Sequence, residues 1–290
     1  MVESAAPEQV KDVESEIALF CPGCLYDLRG SMADACPECG AKLDRDLLAK
    51  SSIPWVHDKG VRAFIKTAWL ATFKTQHFCL EVARPVSLID ARKFRRQVVG
   101  LLTLVGVLCG LFLALMLEDF REPLGQIWMD RPGLVLSAFV VSAVLLLLYF
   151  VGFTGLHMYW FHPKALSVEQ QNRAVALSHY ACAALLWLVP TFAGLSFSIA
   201  MGAFGEDPFD GALGWIAAIP AMVMPLMMLL ILPAYLFVCA RMAQHTSNRS
   251  GATRLLMWVL LPVLWLIWSG LILFVLPMIG FYVYLVVASL

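Results

Sequence analysis

ARKFRRQVVGLLTLVGVLCGLFLALML, residues 91–117, separates a polar N-terminal part of the chain from an apolar remainder. Its first seven residues include four Lys or Arg side chains, and its last twenty, residues 98–117, carry no charge. Because an α-helix rises about 1.5 Å per residue, twenty apolar residues match a hydrocarbon core roughly 30 Å thick. We predict a membrane span at 98–117 and a cytosolic location for everything before it, since positive charge beside a span resists translocation.

The composition agrees with an integral membrane protein. Hydrophobic residues make up 60% of the chain and charged residues 14%, compared with about 45–50% and 25% in soluble domains. Of the 21 basic and 21 acidic residues, 14 basic and 13 acidic ones precede Val98. The polar part is therefore close to neutral, which argues against nucleic-acid binding.

Two Cys-x-x-Cys motifs lie in this polar part, with eleven residues between them. Two such turns complete a tetrahedral four-thiolate site of the kind that holds structural zinc, and a segment of this size needs the metal in order to fold. A dithiol redox pair or disulfides are alternatives, which a reducing cytosol disfavours. The predicted Zn²⁺ ligands are Cys21, Cys24, Cys36 and Cys39.

The residues from Cys21 to Gly40 resemble the short N-terminal zinc ribbons of many bacterial membrane proteins. Between Cys21 and Lys50 the charges are balanced, with four basic and five acidic residues. Docking of a protein partner is therefore a more plausible use of this ribbon than DNA or RNA binding. We predict a flexible tail at 1–18 and the zinc ribbon at 19–50.

Residues 51–97 are predicted to form a linker and an amphipathic helix over 60–80. The helix has an apolar stripe at helical spacing: Val61, Phe64, Ile65, Ala68, Trp69, Thr72 and Phe73. Two placements are open. The helix lies in the membrane interface, or it packs on the cytosolic face of the membrane domain.

The fold class predicted for the chain is an all-α polytopic membrane bundle of about five helices that carries the four-cysteine ribbon at its N-terminus. After the first span, the charge-free runs predict spans at 134–161, 174–204, 213–240 and 255–276. The loops between them alternate in charge as the positive-inside rule requires, with a cytoplasmic N-terminus. For the final run we favour one span to 276, and a short sixth helix at 277–290 is the alternative.

Five spans, an approach helix and a cytosolic N-terminus resemble the Yip-type family of multispanning proteins. The residues from Gln170 to Ala181, QQNRAVALSHYA, are similar to bacterial members of that group. The resemblance covers residues 60–290 and implies a helical membrane domain. The vesicle-traffic role of eukaryotic members is not carried over to this chain.

Few residues suggest chemistry within the predicted spans. His157 and His179 are candidates for a metal or proton site, and we favour ordinary neutral histidines near the interface. Prolines interrupt the apolar runs, as in some transporters, although they also serve packing. Gly106 and Gly110 form a face at which another helix can approach closely, which leaves a homo-oligomer open.

These observations predict a multi-pass inner-membrane protein without catalytic residues. The leading hypothesis is a non-enzymatic scaffold or interaction protein that presents its cytosolic zinc ribbon to a protein partner. The alternative is a small-solute transporter or channel that uses proline-broken helices.

Overall fold

The computed structural model describes residues 19–31, 33–116, 132–155, 167–203, 230–231 and 233–243, together with five positions between 259 and 267. This part of the chain is mostly helical. Its β-structure consists of isolated bridges, Phe20 with Asp27 and Ala35 with Lys42. The helices are, in chain order, α1 (Arg45–Leu48), α2 (Pro54–His57), α3 (Val61–Phe73), α4 (Thr75–Cys79), α5 (Leu88–Met116), α6 (Pro132–Gly155), α7 (Val168–Ala181), α8 (Leu188–Ala203) and α9 (Pro233–Ala243).

Helix α5 is the centre of the fold, since it contacts α6, α7 and α8. It begins at Leu88, ten residues before the predicted span. The Ser87 hydroxyl accepts a hydrogen bond from the Asp90 N–H and so satisfies one of the free donors at the helix start. The basic residues therefore belong to the same helix as the apolar run that follows them.

The linker packs on α5 through aromatic side chains. The Trp55 ring meets the rings of Phe64 and Phe94, with centroids 5.9 Å away in each case. The Trp55 indole N–H donates to the Asp90 carbonyl. Phe94 also packs on the ring of Tyr180 in α7, at 5.0 Å. These contacts join α2, α3, α5 and α7 in one core.

Helix α3 packs through its small residues. The helix predicted over 60–80 is divided at Lys74, whose backbone leaves the helical region, and a 3-10 turn (Leu80–Ala83) follows α4. Ala63, Thr67 and Ala71 face the protein and are buried. Most of the predicted apolar stripe is exposed, with Trp69 at 54%. The helix thus packs on the helical part of the protein and presents an apolar outer surface, and both of its predicted placements relative to a membrane stay predictions.

The helix that covers the start of the third predicted span begins six residues before residue 174. Helix α7 begins at Val168, where Ser167 and Gln170 form a reciprocal capping box. A 3-10 segment (Cys182–Trp187) separates α7 from α8. Pro190 is the third residue of α8, in the first turn of the helix, where proline is tolerated.

The other predicted spans are described only in part. Helix α6 covers the second prediction as far as Gly155. Of the fourth, residues 230–231 and 233–240 are helical, and α9 continues to Ala243. The fifth is described at scattered positions, and 277–290 lies outside the described residues.

Gly106 faces α6, because a Cβ at this position would lie 3.4 Å from a methyl group of Leu146.

Candidate metal centre

The four predicted cysteines lie together. The sulfur atoms of Cys21, Cys24, Cys36 and Cys39 are all within 4.8 Å of one another. The Cys21 and Cys39 sulfurs are 3.6 Å apart, and those of Cys24 and Cys36 are 3.5 Å apart. A disulfide would place two sulfurs about 2.05 Å apart. These distances are those of free thiols gathered around one point, a set that can hold a metal ion.

Each Cys-x-x-Cys motif is a tight turn, and the two turns have the same hydrogen bonds. The Leu25 N–H donates to the Cys21 carbonyl, and the Gly40 N–H donates to the Cys36 carbonyl, both at 2.9 Å. Leu25 and Gly40 both adopt positive φ, 62° and 69°. Glycine tolerates that conformation, whereas a side chain such as that of Leu25 is disfavoured by about 1–2 kcal/mol. The second turn therefore has the less strained sequence.

Burial and the backbone N–H groups of the turns change the pKa values of the thiols. At Cys36 desolvation raises the pKa, but the N–H groups of Cys39 and Glu38 stabilise the thiolate and lower the pKa to about 7. Desolvation and the neighbouring thiols raise the pKa of Cys24 to about 12. A divalent metal ion would supply the positive charge that lets all four thiolates form at once.

Residues 19–50, which we call the cysteine module, also have a small apolar core. Phe20, Leu28 and Leu48 are buried around the cysteines. Ala83, from the 3-10 turn after α4, belongs to the same cluster. The module is therefore packed against the helical part of the protein.

Helix α7 holds this module in place. The Gln170 side-chain N–H donates to the Leu25 carbonyl at 2.7 Å. The Arg173 guanidinium lies over the Phe20 ring, 4.8 Å from its centroid, and donates to the Ala83 carbonyl at 3.1 Å. The Phe20 N–H donates to that same carbonyl. The sequence did not reveal this contact, although a polar Gln170–Arg173 segment immediately before an apolar run was a signal for it.

Arg173 itself departs from the prediction. The predicted spans at 134–161 and 174–204 place it in the loop between them, whereas the structure buries it within α7, with 2% of the residue exposed. Its charge is balanced by the Glu169 carboxylate, one turn earlier. The ion pair and the contacts with Phe20 and Ala83 explain how an arginine is accommodated there.

The remaining sequence candidates do not form a second site among the described residues. His179 is buried near the end of α7, and His157 lies outside the described residues. The proposed His157–His179 pair therefore stays a prediction. The prolines of 213–240 also lie mostly outside the description, so the transporter alternative stays a prediction as well.

No family model matches this chain, and no curated protein or solved structure proved similar to it. The ribbon and Yip-type resemblances therefore stay predictions. Two described helical stretches, Leu88–Phe112 and Val168–Gly194, are long and apolar enough to cross a membrane. Core helices of soluble proteins meet the same criterion, so the number of spans and their sidedness stay predictions too.

Proposed function

We propose that Cys21, Cys24, Cys36 and Cys39 bind one structural Zn²⁺ ion. Four thiolates form the soft, tetrahedral ligand set that zinc prefers. With zinc–sulfur bonds of about 2.3 Å, a tetrahedral site separates its sulfurs by about 3.8 Å. Two of the sulfur pairs, Cys24 with Cys36 and Cys21 with Cys39, lie slightly under that spacing, at 3.5 and 3.6 Å. All four positions are then taken by protein, which leaves no open position for a substrate.

We further propose that the protein is a non-enzymatic scaffold in the bacterial inner membrane, with a Yip-like helical domain and a cytoplasmic ribbon. The observation that carries this proposal is the attachment of the module to α7 through Gln170, Arg173 and Phe20. A ribbon fixed on a helical domain holds its outer surface in a constant position, which suits the presentation of a docking surface. Tyr26 and Leu47 lie on that surface, with 39% and 61% exposed.

The scaffold role is tested by site-specific crosslinking of the full-length protein in its native membrane. A photoreactive residue replaces Leu47, and the matched control carries it at the exposed Ile65 of α3. We expect one protein partner to crosslink at position 47, to be absent at position 65, and to disappear when Cys36→Ser and Cys39→Ser are added. Equal crosslinking at both positions, or a partner that survives the cysteine substitutions, would contradict the proposal.

A further inference from the structure

A cavity of about 580 Å³ lies between α5, α6 and the end of α7. Three arginines of α5 line it, Arg92, Arg95 and Arg96, and His179 lies across from them. The three arginines are spaced i, i+3 and i+4, which places them on one face of the helix. No Asp or Glu is among the described residues that line this cavity. Its polar end is therefore strongly basic.

The central arginine is held in a fixed position. The Arg95 Nε–H donates to the Thr154 hydroxyl at 2.9 Å, and its Nη2 donates to the Val151 carbonyl at 2.6 Å. Gly155 leaves space for this guanidinium, since a Cβ there would lie 3.1 Å from Arg95 Nη2. The guanidinium thus bridges α5 and α6 at the cavity wall, and Arg92 and Arg96 are exposed on either side of it.

Two described acidic side chains of the surrounding helices, Asp90 of α5 and Glu169 of α7, are engaged with other cations. Asp90 pairs with Lys59 at 2.9 Å. Glu169, at the start of α7, pairs with Arg173, which contacts Phe20 of the cysteine module. Arg92 and Arg96 are exposed, so their guanidinium groups can meet an anion from outside the chain.

The rest of the cavity wall is apolar. Val99, Leu147 and Val151 continue it along α5 and α6, and the last two are more than 40% exposed. The change from basic to apolar lining occurs where the charged part of α5 meets its uncharged run. A ligand that fits both parts has an anionic head and an apolar tail.

We infer that this cavity binds the phosphate group of an anionic phospholipid, with its acyl chains along α5 and α6. Guanidinium groups bind phosphate oxygens through paired hydrogen bonds, and basic pockets between membrane helices bind lipid headgroups. The inference rests on the proposed membrane placement of α5 and α6. It is independent of the metal and of any protein partner, so a failed crosslinking experiment would leave it standing.

The test uses full-length protein in detergent, titrated with short-chain phosphatidylglycerol or phosphatidylcholine and followed by native mass spectrometry. The variant is Arg92→Gln with Arg96→Gln, both exposed positions whose change leaves Arg95 in place. The matched control, Lys66→Gln with Lys93→Gln, removes the same charge from exposed positions outside the cavity. Arg92→Lys with Arg96→Lys keeps the charge without the paired geometry.

We expect phosphatidylglycerol to bind wild type and control about tenfold more tightly than phosphatidylcholine. The Gln variant should lose this preference, and the Lys variant should keep part of it. Equal phosphatidylglycerol affinity in the Gln variant and the control would overturn the inference. In a second titration, inorganic phosphate is the ligand. If inorganic phosphate binds the wild type at millimolar concentration and does not bind the Gln variant, while phosphatidylglycerol binds the wild type no more tightly than phosphatidylcholine, the ligand is a free anion and the lipid assignment is wrong.

Discussion

The guanidinium of Arg173 lies 4.8 Å from the ring centroid of Phe20, and the two residues share the carbonyl of Ala83 as hydrogen-bond acceptor. Phe20 directly precedes Cys21, the first cysteine of the cluster, and Arg173 is a buried residue of α7. This contact couples the cysteine module to a helix that is a candidate membrane span. Changes at either residue should therefore alter both parts.

Arg173→Met should loosen the module from α7. The substitution removes the cation–π contact with Phe20 and the buried hydrogen bond to the Ala83 carbonyl, at a cost of about 1–3 kcal/mol in local stability. Hydrogen exchange at the Phe20 and Leu28 amides should become faster. Arg241→Met is the control, because Arg241 makes a similar contact with Phe237 in α9. Unchanged exchange at Phe20 in the Arg173 variant would show that the contact does not hold the module.

Glu81→Leu should destabilise the junction between the linker and the 3-10 turn. Glu81 is buried, and its carboxylate accepts hydrogen bonds from the Ser52 N–H and from the hydroxyls of Ser51 and Ser52. It also pairs with Arg84 at 2.6 Å. Hydrogen bonds to a charged group contribute about 1.5–3 kcal/mol, so we expect a loss of about 2–3 kcal/mol in thermal or denaturant unfolding.

Ser52→Ala is the control for that variant. It removes one hydroxyl donor and leaves the carboxylate with the Ser52 N–H, the Ser51 hydroxyl and Arg84. The expected loss is about 0.5–1.5 kcal/mol. If Ser52→Ala cost as much as Glu81→Leu, the carboxylate would not be the centre of the network.

Gly40→Ala should weaken the second cysteine turn. The backbone of Gly40 has φ 69°, and a Cβ there would meet no atom within 4 Å, so the whole cost is conformational, about 1–2 kcal/mol. Gly23→Ala is the matched change in the first turn, where the Cβ would lie 3.6 Å from the Cys39 sulfur, an ordinary contact. Competition with a chelator should show weaker metal retention for Gly40→Ala alone. Similar weakening in both variants would contradict the conformational argument.

Zinc binding should weaken as the pH falls. The metal binds thiolates, and in the metal-free module the pKa of Cys24 is raised to about 12 while that of Cys36 is lowered to about 7. Protonation of Cys36 below pH 7 adds a proton that zinc must displace, so affinity should fall more steeply there. A chelator titration between pH 6 and 8 would measure this slope. An affinity that does not change over this range would exclude thiolate ligation.

The sequence predicted the local features of this structure, such as turns and helices. It did not predict the contacts between residues that are distant in the chain. The Cys-x-x-Cys spacing predicted the cysteine cluster because each turn is a local feature. The apolar run at 98–117 predicted α5 but not its start at Leu88, because the basic residues before the run are also helical. The stripe in α3 did not show that Ala63, Thr67 and Ala71 pack inward, since small residues give little hydrophobic signal.

The attachment of the module to α7 was missed for a related reason. The hydrogen bond from Gln170 to Leu25 joins residues 145 positions apart. Periodicity in the sequence predicts helices, but it does not predict which distant residues come into contact. Arg173 was assigned to a loop because charge usually marks the end of an apolar run. Its burial depends on Phe20, Ala83 and Glu169, which come together only in the folded chain.

The most direct test of a structural zinc site is X-ray absorption at the zinc edge, combined with metal analysis of the purified full-length protein. We predict about one zinc per chain and a single shell of four sulfur atoms at about 2.3 Å. A shell that contains oxygen or nitrogen, or protein that lacks zinc and carries disulfides between these cysteines, would contradict it.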